Sequence, residues 1–458
     1  MSLKVWLPLI NNFNNQGTYI NNPTNTGATV STAGPLGGSY SFDGTDDQIK
    51  TTYPSAENTM TVCMWVIFTK LNVHLLDMRN QSGVGYQPAY VGTSGVQVGG
   101  TSNGNYPYIN FVPTLDTWYH LAIVYSASKT DLYVNGALYG SASNSVGYNY
   151  NMDMEVHLGS RYSGSNWFGG NVADFRIYNE ALSAYEVKVI ARGLLLHYTS
   201  PINPRNSTYS AWVGDTIIDS SGYNRNGTVY TANLSRSYGN TIRYYNAWQI
   251  LSDGAYISRS SPSSGAKTIS FWLATPKTAS TVFFADYKSK MAFGFNGSGY
   301  IIATCDSWNK PMFTDTSAIA ANGYCYITIR HNSSDDGVEL FIDGVQQTAN
   351  GSNNYWTHST DTLMIGQRST GTPMPNAGFC DFRMYATRLS DDDILDLYHT
   401  GLKQLSNGKS SPFELYENTV GKVQVQKTGR LINNSFVEST TGNKFKATQA
   451  ISNEFIER

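Results

Sequence analysis

The strongly apolar runs of this chain are short, and they come in matching pairs. "TVCMWVIFT" around Trp65 and "TISFWLATP" around Trp272 are apolar at successive positions, so neither shows a polar face. Runs of that length predict strands buried on both sides inside a two-sheet sandwich. "HLAIVY" and "YITIRH" predict a neighbouring strand in each case. "LYVNGALY" at 132–139 and "LFIDGV" at 340–345 then set Asn-Gly and Asp-Gly between two apolar stretches. Those dipeptides accept positive φ at both central turn positions, which predicts tight antiparallel hairpins.

One helix is predicted to close each set of strands. Ser183 with Glu186 three residues on forms a capping-box pattern before "VKVIARG", and Gly193 is the predicted stop. Ser390 with Asp393 precedes "ILDLYHTG" in the same way, with a stop expected near Gly401.

These pairs keep one order and nearly one spacing. Trp272 follows Trp65 by 207 residues, Cys325 follows Tyr119 by 206, and Gly366 and Asp381 follow Gly159 and Asp174 by 207. Matched blocks at a fixed offset are the signature of a duplicated unit. The helix ends divide the chain into residues 1–193, 194–402 and 403–458. The last segment repeats neither copy and alternates polar with apolar residues. It reads as a small β-rich docking or oligomerisation element, with a disordered terminus as the other reading.

Composition sharpens this all-β picture. The 458 residues are 13% aromatic and only 14% charged, with 42 Gly and 32 Tyr, as expected of short strands joined by polar turns. A formal net charge of −2 leaves no basic field for a phosphate backbone, so nucleic acid is not an expected partner. No stretch approaches the ~20 apolar residues of a membrane helix. The opening "MSLKVWLPLINNF" lacks the apolar region of a signal peptide, so synthesis in a cytoplasm without export is expected. The four cysteines, Cys63, Cys305, Cys325 and Cys380, show no metal-type spacing and read as unpaired structural thiols.

The blocks "KVWLPL", "YSFDGTDDQIKT", the Trp strand, "TWYHLAIVY", "DLYVNGALYG", "VHLGSR" and "GGNVADFRIYNEALSAYEV", taken in order, resemble laminin-G-like domains. Those are concanavalin A-like jelly rolls shared with pentraxins and legume lectins. The second copy adds "IIDSSGYNRNGTV" at 217–229, which the first copy keeps only as "LINNFNNQGT". The resemblance implies two tandem concanavalin A-like antiparallel β-sandwiches, each with a short closing helix. "LKVWLPL" followed by "YSFDG" is also similar to laminin-G-like virion proteins of tailed phages.

This fold hosts both binders and hydrolases. A hydrolase on it draws its paired carboxylates from an E-x-D-x-x-E strand, and the sequence contains none. Asp174 and Asp381 each precede an arginine by two residues and read as halves of local Asp-Arg pairs rather than as functional acids. His120, His157 and His197 are dispersed and read as strand histidines.

Two candidate sites remain. Asp43, Asp46 and Asp47 in "FDGTDDQ" offer hard oxygens suited to calcium, an ion laminin-G-like and pentraxin relatives often bind; turn hydrogen bonding is the competing use. Sugar binding needs exposed rings flanked by amides and hydroxyls. Tyr86, Tyr90, Tyr106 and Tyr108, and the loop residues Tyr162, Asn166, Trp167 and Phe168, supply that texture; packing at the sandwich rims is the alternative. The second copy's loop "RSTGTPMPNAG" has no ring.

The sequence therefore points to a non-enzymatic virion protein that binds host-surface or mucus glycans, with other virion proteins as partners. A homo-oligomer, a trimer above others, is expected, with no membrane insertion and no obligatory cofactor. A purely architectural virion protein is the alternative, and a glycoside hydrolase the third.

Overall fold

In the computed structural model each copy folds as two antiparallel sheets face to face, and the strands follow the apolar runs. The structure describes residues 3–53, 59–79, 85–98, 107–126, 128–143, 154–198, 210–211, 216–230, 234–237, 247–250, 256–260, 267–274, 281–286, 292–295, 301–304, 324–331, 338–348, 362–366, 377–406, 413–415, 427–432, 435–438, 444–446 and 455–457.

The back sheet of the first copy runs, edge to edge, Ala137–Ser143, Lys129–Val134, Trp118–Tyr125, Met60–Phe68, Gly169–Tyr178, Ser39–Asp43 and Thr29–Ser31, with Leu3–Leu7 also paired to Gly169–Tyr178. The front sheet runs Tyr108–Ile109, Gly95–Gln97, Gly85–Gly92, Val73–Arg79, Met154–Leu158, Gln48–Tyr53 and Thr24–Thr26. Val62, Val66, Phe68, Leu121, Ile123 and Phe175 from the back sheet meet Ile49, Leu76, Val91, Val156 and Leu158 from the front sheet in one core.

The other face of the back sheet is covered as well. Helix Ala184–Ala191 presses Val187 onto Cys63, Ala122, Val124, Tyr133 and Tyr178. Trp65 and Ala173 on that face join a cluster with Leu195 and Leu196 that continues into the second copy's core. This double cover explains why the Trp65 run lacks a polar face. Cys63 and Cys325 are free and buried, and burial pushes the Cys63 thiol up to about 12. Cys305 lies outside the described residues.

The second copy repeats the plan with a nine-stranded back sheet and a seven-stranded front sheet. Trp272, Tyr326, Phe341 and Tyr385 of its back sheet pack under Ile394 and Leu397 of helix Asp391–Ser406. The expected stop at Gly401 is corrected. Gly401 lies inside the helix, where an added Cβ would come within 2.7 Å of Trp272 Nε1, so the residue serves close packing. Beyond this helix, Phe413–Leu415, Lys427–Ile432, Ser435–Glu438, Lys444–Lys446 and Phe455–Glu457 form a separate five-stranded sheet.

Both hairpin turns are as expected. Asn135 and Gly136 have φ of +52° and +83°, and Asp343 and Gly344 have +51° and +79°. The Asp-Arg pairs also form, with Arg176 Nε 2.9 Å from Asp174 Oδ1 and Arg383 Nε 2.7 Å from Asp381 Oδ1. Each aspartate sits at a bulge with positive φ, +55° and +54°, where the pairing register shifts. Trp6 donates to Asp174 from one flanking strand, and His197 contacts Asp381 from its counterpart. Burial alone would raise the Asp381 carboxyl, but Arg383 and His197 hold it below its ordinary value.

The copies are joined by polar and aromatic contacts. Arg192 reaches Asp393 Oδ1 and Asp396 Oδ2, each at 2.8 Å, and the Ala386 N–H donates to Gly193 O at 2.8 Å. Arg225 of the "DSSGYNRNG" segment donates to Leu36 O, and Tyr223 meets Trp6 edge-on at 5.7 Å. Gly222, at φ +93°, lies so near the Trp6 ring that a Cβ would come within 2.0 Å of it. The segment is thus part of the joint as well as of its own sandwich.

Candidate functional site

The closing helix covers part of the first copy's back sheet, and the outer face of its front sheet carries polar and aromatic side chains, of which His74, Asp77, Gln97 and His157 are buried. On a strand alternate side chains share a face, and the core takes Leu76, Met78, Ala89, Val91, Val96, Val156 and Leu158. Between them, Asp77, Arg79, Tyr90, Gln97, Glu155 and His157 fall on the outer side. A register shift between His74 and Leu76 adds His74 to this set.

Strand pairing aligns these residues in a transverse row. Tyr108 pairs with Gln97, Gln97 with Tyr90, and Tyr90 with His74. The row then passes into the loop after Leu158, because the His74 N–H donates to Asn166 O at 2.8 Å. Tyr108 is 50% exposed and Asn166 is exposed with φ +52°, while His74 lies under Tyr90 with ring centroids 5.0 Å apart. Burial lowers the His74 imidazole to about 4, so it is neutral at physiological pH.

Asp77 fixes the loop that carries Tyr162 and Asn166. The carboxylate is fully buried, accepts the Tyr162 N–H at 2.9 Å, and takes Arg79 Nε at 2.9 and 3.0 Å on its two oxygens. The Arg79 guanidinium also lies 5.7 Å from the centre of the Tyr162 ring, which meets His157 edge-on at 5.7 Å. Tyr162 itself is 41% exposed. Burial lowers the His157 pKa, and its bond to Glu155 opposes that shift.

Of the candidate sugar-facing residues, Tyr90, Tyr108, Tyr162 and Asn166 therefore gather on one face. Trp167 is half-buried over Gly164, 3.5 Å from where a Cβ there would sit. Phe168 is a correction: it is fully buried against Phe42 and Phe68, centroids 5.5 and 5.6 Å away, and cannot meet a ligand. Tyr86 is on strand Gly85–Gly92 in register with Met78, and Tyr106 lies outside the described residues. His74, Asp77, Arg79 and Gln97 were not singled out in the sequence. The signal available was polar residues inside the otherwise apolar "VHLLDMR" and "GVQVG", but the bulge after His74 hides its alternation.

The second copy is an internal control. Its front sheet has the same register shift, between Val282 and Phe284, yet the positions matching Gln97, Tyr90 and His74 are Ile302, Gly294 and Val282. The row Lys50, His157, Asp77 becomes Ser258, Met364, Ala285. Rings, amide and ion-pairing acid are all missing from these positions.

Asp43, Asp46 and Asp47 form a separate acidic group at one end of the sandwich, with ligand atoms within 4.8 Å of one another. Asp47 Oδ2 accepts the Asp43 N–H and Asp43 Oδ1 the Thr45 N–H, each at 2.7 Å, so turn bonding uses part of the set. Burial above all raises the Asp47 carboxyl above its ordinary value; the hydrogen bond from the Asp43 N–H opposes the rise, and the Asp43 and Asp46 charges add to it. The oxygen-only donor set fits a hard cation.

No helix among the described residues is long and apolar enough to cross a membrane. A comparison with curated proteins finds no match. Among solved structures, domain 4 of an extracellular arabinanase from Geobacillus stearothermophilus, in complex with arabinotriose, is 18% identical, covering 42% of this chain and 98% of that one, TM-score 0.35. A heptameric SAP-like pentraxin from Limulus polyphemus is 22% identical over 33% of this chain and 80% of that one, TM-score 0.27. The receptor-binding domain of botulinum neurotoxin D is 14% identical over 80% and 96% of the two chains, TM-score 0.34. The sequence family matched, at residues 43–188 and again at 251–395, is the concanavalin A-like lectin/glucanases superfamily. With two sandwiches of the matching kind, the chain belongs to that superfamily twice over.

Proposed function

We propose that this chain is a non-enzymatic carbohydrate-binding protein that attaches to host-surface or mucus glycans through the front sheet of its first copy. The observation that carries this reading is the gathering of Tyr90, Tyr108, Tyr162 and Asn166 on one face, with Tyr108 50% and Tyr162 41% exposed. Tyrosine rings offer flat apolar surface to a pyranose, and the neighbouring amides take its hydroxyls. Asp77 is enclosed by Arg79 and the Tyr162 N–H, which suits a scaffold role better than acid-base chemistry. No cofactor is required in this reading; a calcium ion, if used, would be held by Asp43, Asp46 and Asp47.

The setting we propose is a tailed-phage particle, with the protein as a fibre, decoration or adsorption component. The likeness of "LKVWLPL" and "YSFDG" to laminin-G-like virion proteins supports it. Many copies on one particle would multiply a weak single-site affinity through effective concentration. Residues 403–458 would dock the chain to other virion proteins or join it into a homo-oligomer, a trimer above others.

A multivalent glycan array tests the binding reading. Full-length protein should light host-wall or mucus glycans, and a Tyr90→Ala, Tyr162→Ala double variant should lose most of that signal. A blank array from protein that still co-purifies with particles would replace adhesion with a purely architectural role. Sugar release from wall polysaccharide that disappears on changing one carboxylate would instead make the protein a hydrolase.

A further inference from the structure

We infer that the second copy serves as the cover of the first copy's back sheet, so that the first copy depends on the second while the second closes itself. This goes beyond the glycan-binding reading and does not rest on it. It gives a role to a copy whose front sheet lacks the rings and amides of the first. The observation that carries it is the different way in which two equivalent tryptophans, Trp65 and Trp272, are buried.

Among the described residues, Trp272 belongs to a cluster drawn wholly from its own copy, with Tyr326, Tyr385, Ile394 and Leu397 in it and Tyr398 packed against it. The closing helix makes this possible. Tyr398 is the counterpart of Ala191, where the first helix ends, and helix Asp391–Ser406 runs on past it, carrying Gly401 over the Trp272 ring. In the first copy Gly193 follows the helix at φ +63°, a helix-ending conformation. Trp65 and Ala173 are nevertheless buried, because they join a cluster in which Leu195, Leu196 and Ala386 of the second copy take part. Ala386 stands directly behind Gly193, where an added Cβ would lie 3.0 Å from Ala386 Cβ and 3.3 Å from the Trp65 ring. The second copy thus occupies the place that the longer helix fills in its own half.

The two Asp-Arg bulges show the same asymmetry. Tyr223 of the second copy meets Trp6 edge-on at 5.7 Å and shares hydrogen bonds with Asp174 and Arg176, so the first bulge is closed from outside its own copy. The Asp174 side chain is 2% exposed. At the second bulge His197 and Arg383 reach Asp381 from within one copy, and the Asp381 side chain keeps 16% exposure. On the helix side, Arg192 is buried with Asp393 and Asp396 of the second copy as its carboxylate partners. Asp393 has a further use, accepting the Ser390 N–H and hydroxyl in its own helix cap. Without the second copy the first would expose an indole and lose both carboxylates from Arg192; without the first, Trp272 and the helix cap would keep their contacts.

Hydroxyl-radical footprinting of the full chain, read residue by residue by mass spectrometry, tests the inference. An Arg192→Ala, Tyr223→Ala double variant removes one contact from each side of the joint. Oxidation of Trp65 should rise about fivefold or more while that of Trp272 stays within about twofold of wild type. A rise at Trp272 matching that at Trp65, or a Trp65 that stays protected, would overturn the inference. Wild-type protein titrated with urea gives a second reading that does not depend on the variant folding. Trp65 should become labelled at a urea concentration no higher than Trp272 does, because its cover is lost when either copy opens. Labelling of Trp272 while Trp65 remains protected would overturn the inference as well. Neither reading uses a glycan, so a blank array would remove the binding reading and leave this one standing.

Discussion

His120 meets Trp65 edge-on at 5.3 Å on the covered face of the back sheet, and neither of its ring nitrogens has a partner among the described residues. Burial lowers its pKa from 6.5 to about 4, with Asp174 opposing the shift, and His74 shifts in the same direction to about 4. Between those limits the unfolded chain binds protons that the native protein does not. Stability from keeping these rings neutral is therefore complete above about pH 6.5 and is lost as pH falls toward about 4. The urea midpoint should drop across that window, and His120→Gln should flatten part of the slope; a level wild-type midpoint would contradict it. At this scale the sequence read residue type well and orientation poorly. The same loop sends Tyr162 outward and Phe168 into the core, a difference set by contacts to Asp77 on one side and to Phe42 and Phe68 on the other.

Elements with local causes were legible. The Ser183 hydroxyl accepts the Glu186 N–H at 3.3 Å, and the Glu186 carboxylate accepts the Ser183 N–H at 2.8 Å, completing the capping box that the spacing predicted. Ser183→Ala should cost about 1 kcal/mol of stability, readable by chemical denaturation. An unchanged midpoint would mean that packing of Val187 alone holds the helix. Gly401 was misread because a glycine that ends a helix and one that lets a helix approach a ring look alike in sequence. Trp272, whose nearness distinguishes them, is more than a hundred residues away in the chain.

At the scale of the whole molecule the copies make one joined body. Arg192 pairs with Asp393 and Asp396, and the segment from Asp219 to Gly227 contacts the first copy while serving the second. The proposed docking role of the C-terminal segment belongs at this scale. Removing residues 407–458, which spares helix Asp391–Ser406, should leave both sandwiches folded by circular dichroism and abolish assembly. Particle incorporation of the truncated chain would exclude that role.

The duplication, the all-β class, the hairpin turns and the helix starts were determined by the sequence alone, because each depends on residues close together in the chain or on a fixed offset between them. Only the tertiary structure decided the candidate site. Tyr108, Gln97, Tyr90, His74 and Asn166 come from four strands and a loop, and their alignment depends on strand register and one bulge. Register is fixed by packing of the core face against the opposite sheet, and a slip of one residue would turn every outer side chain inward. That information resides in contacts between distant segments, so the row could not be read from any one of them.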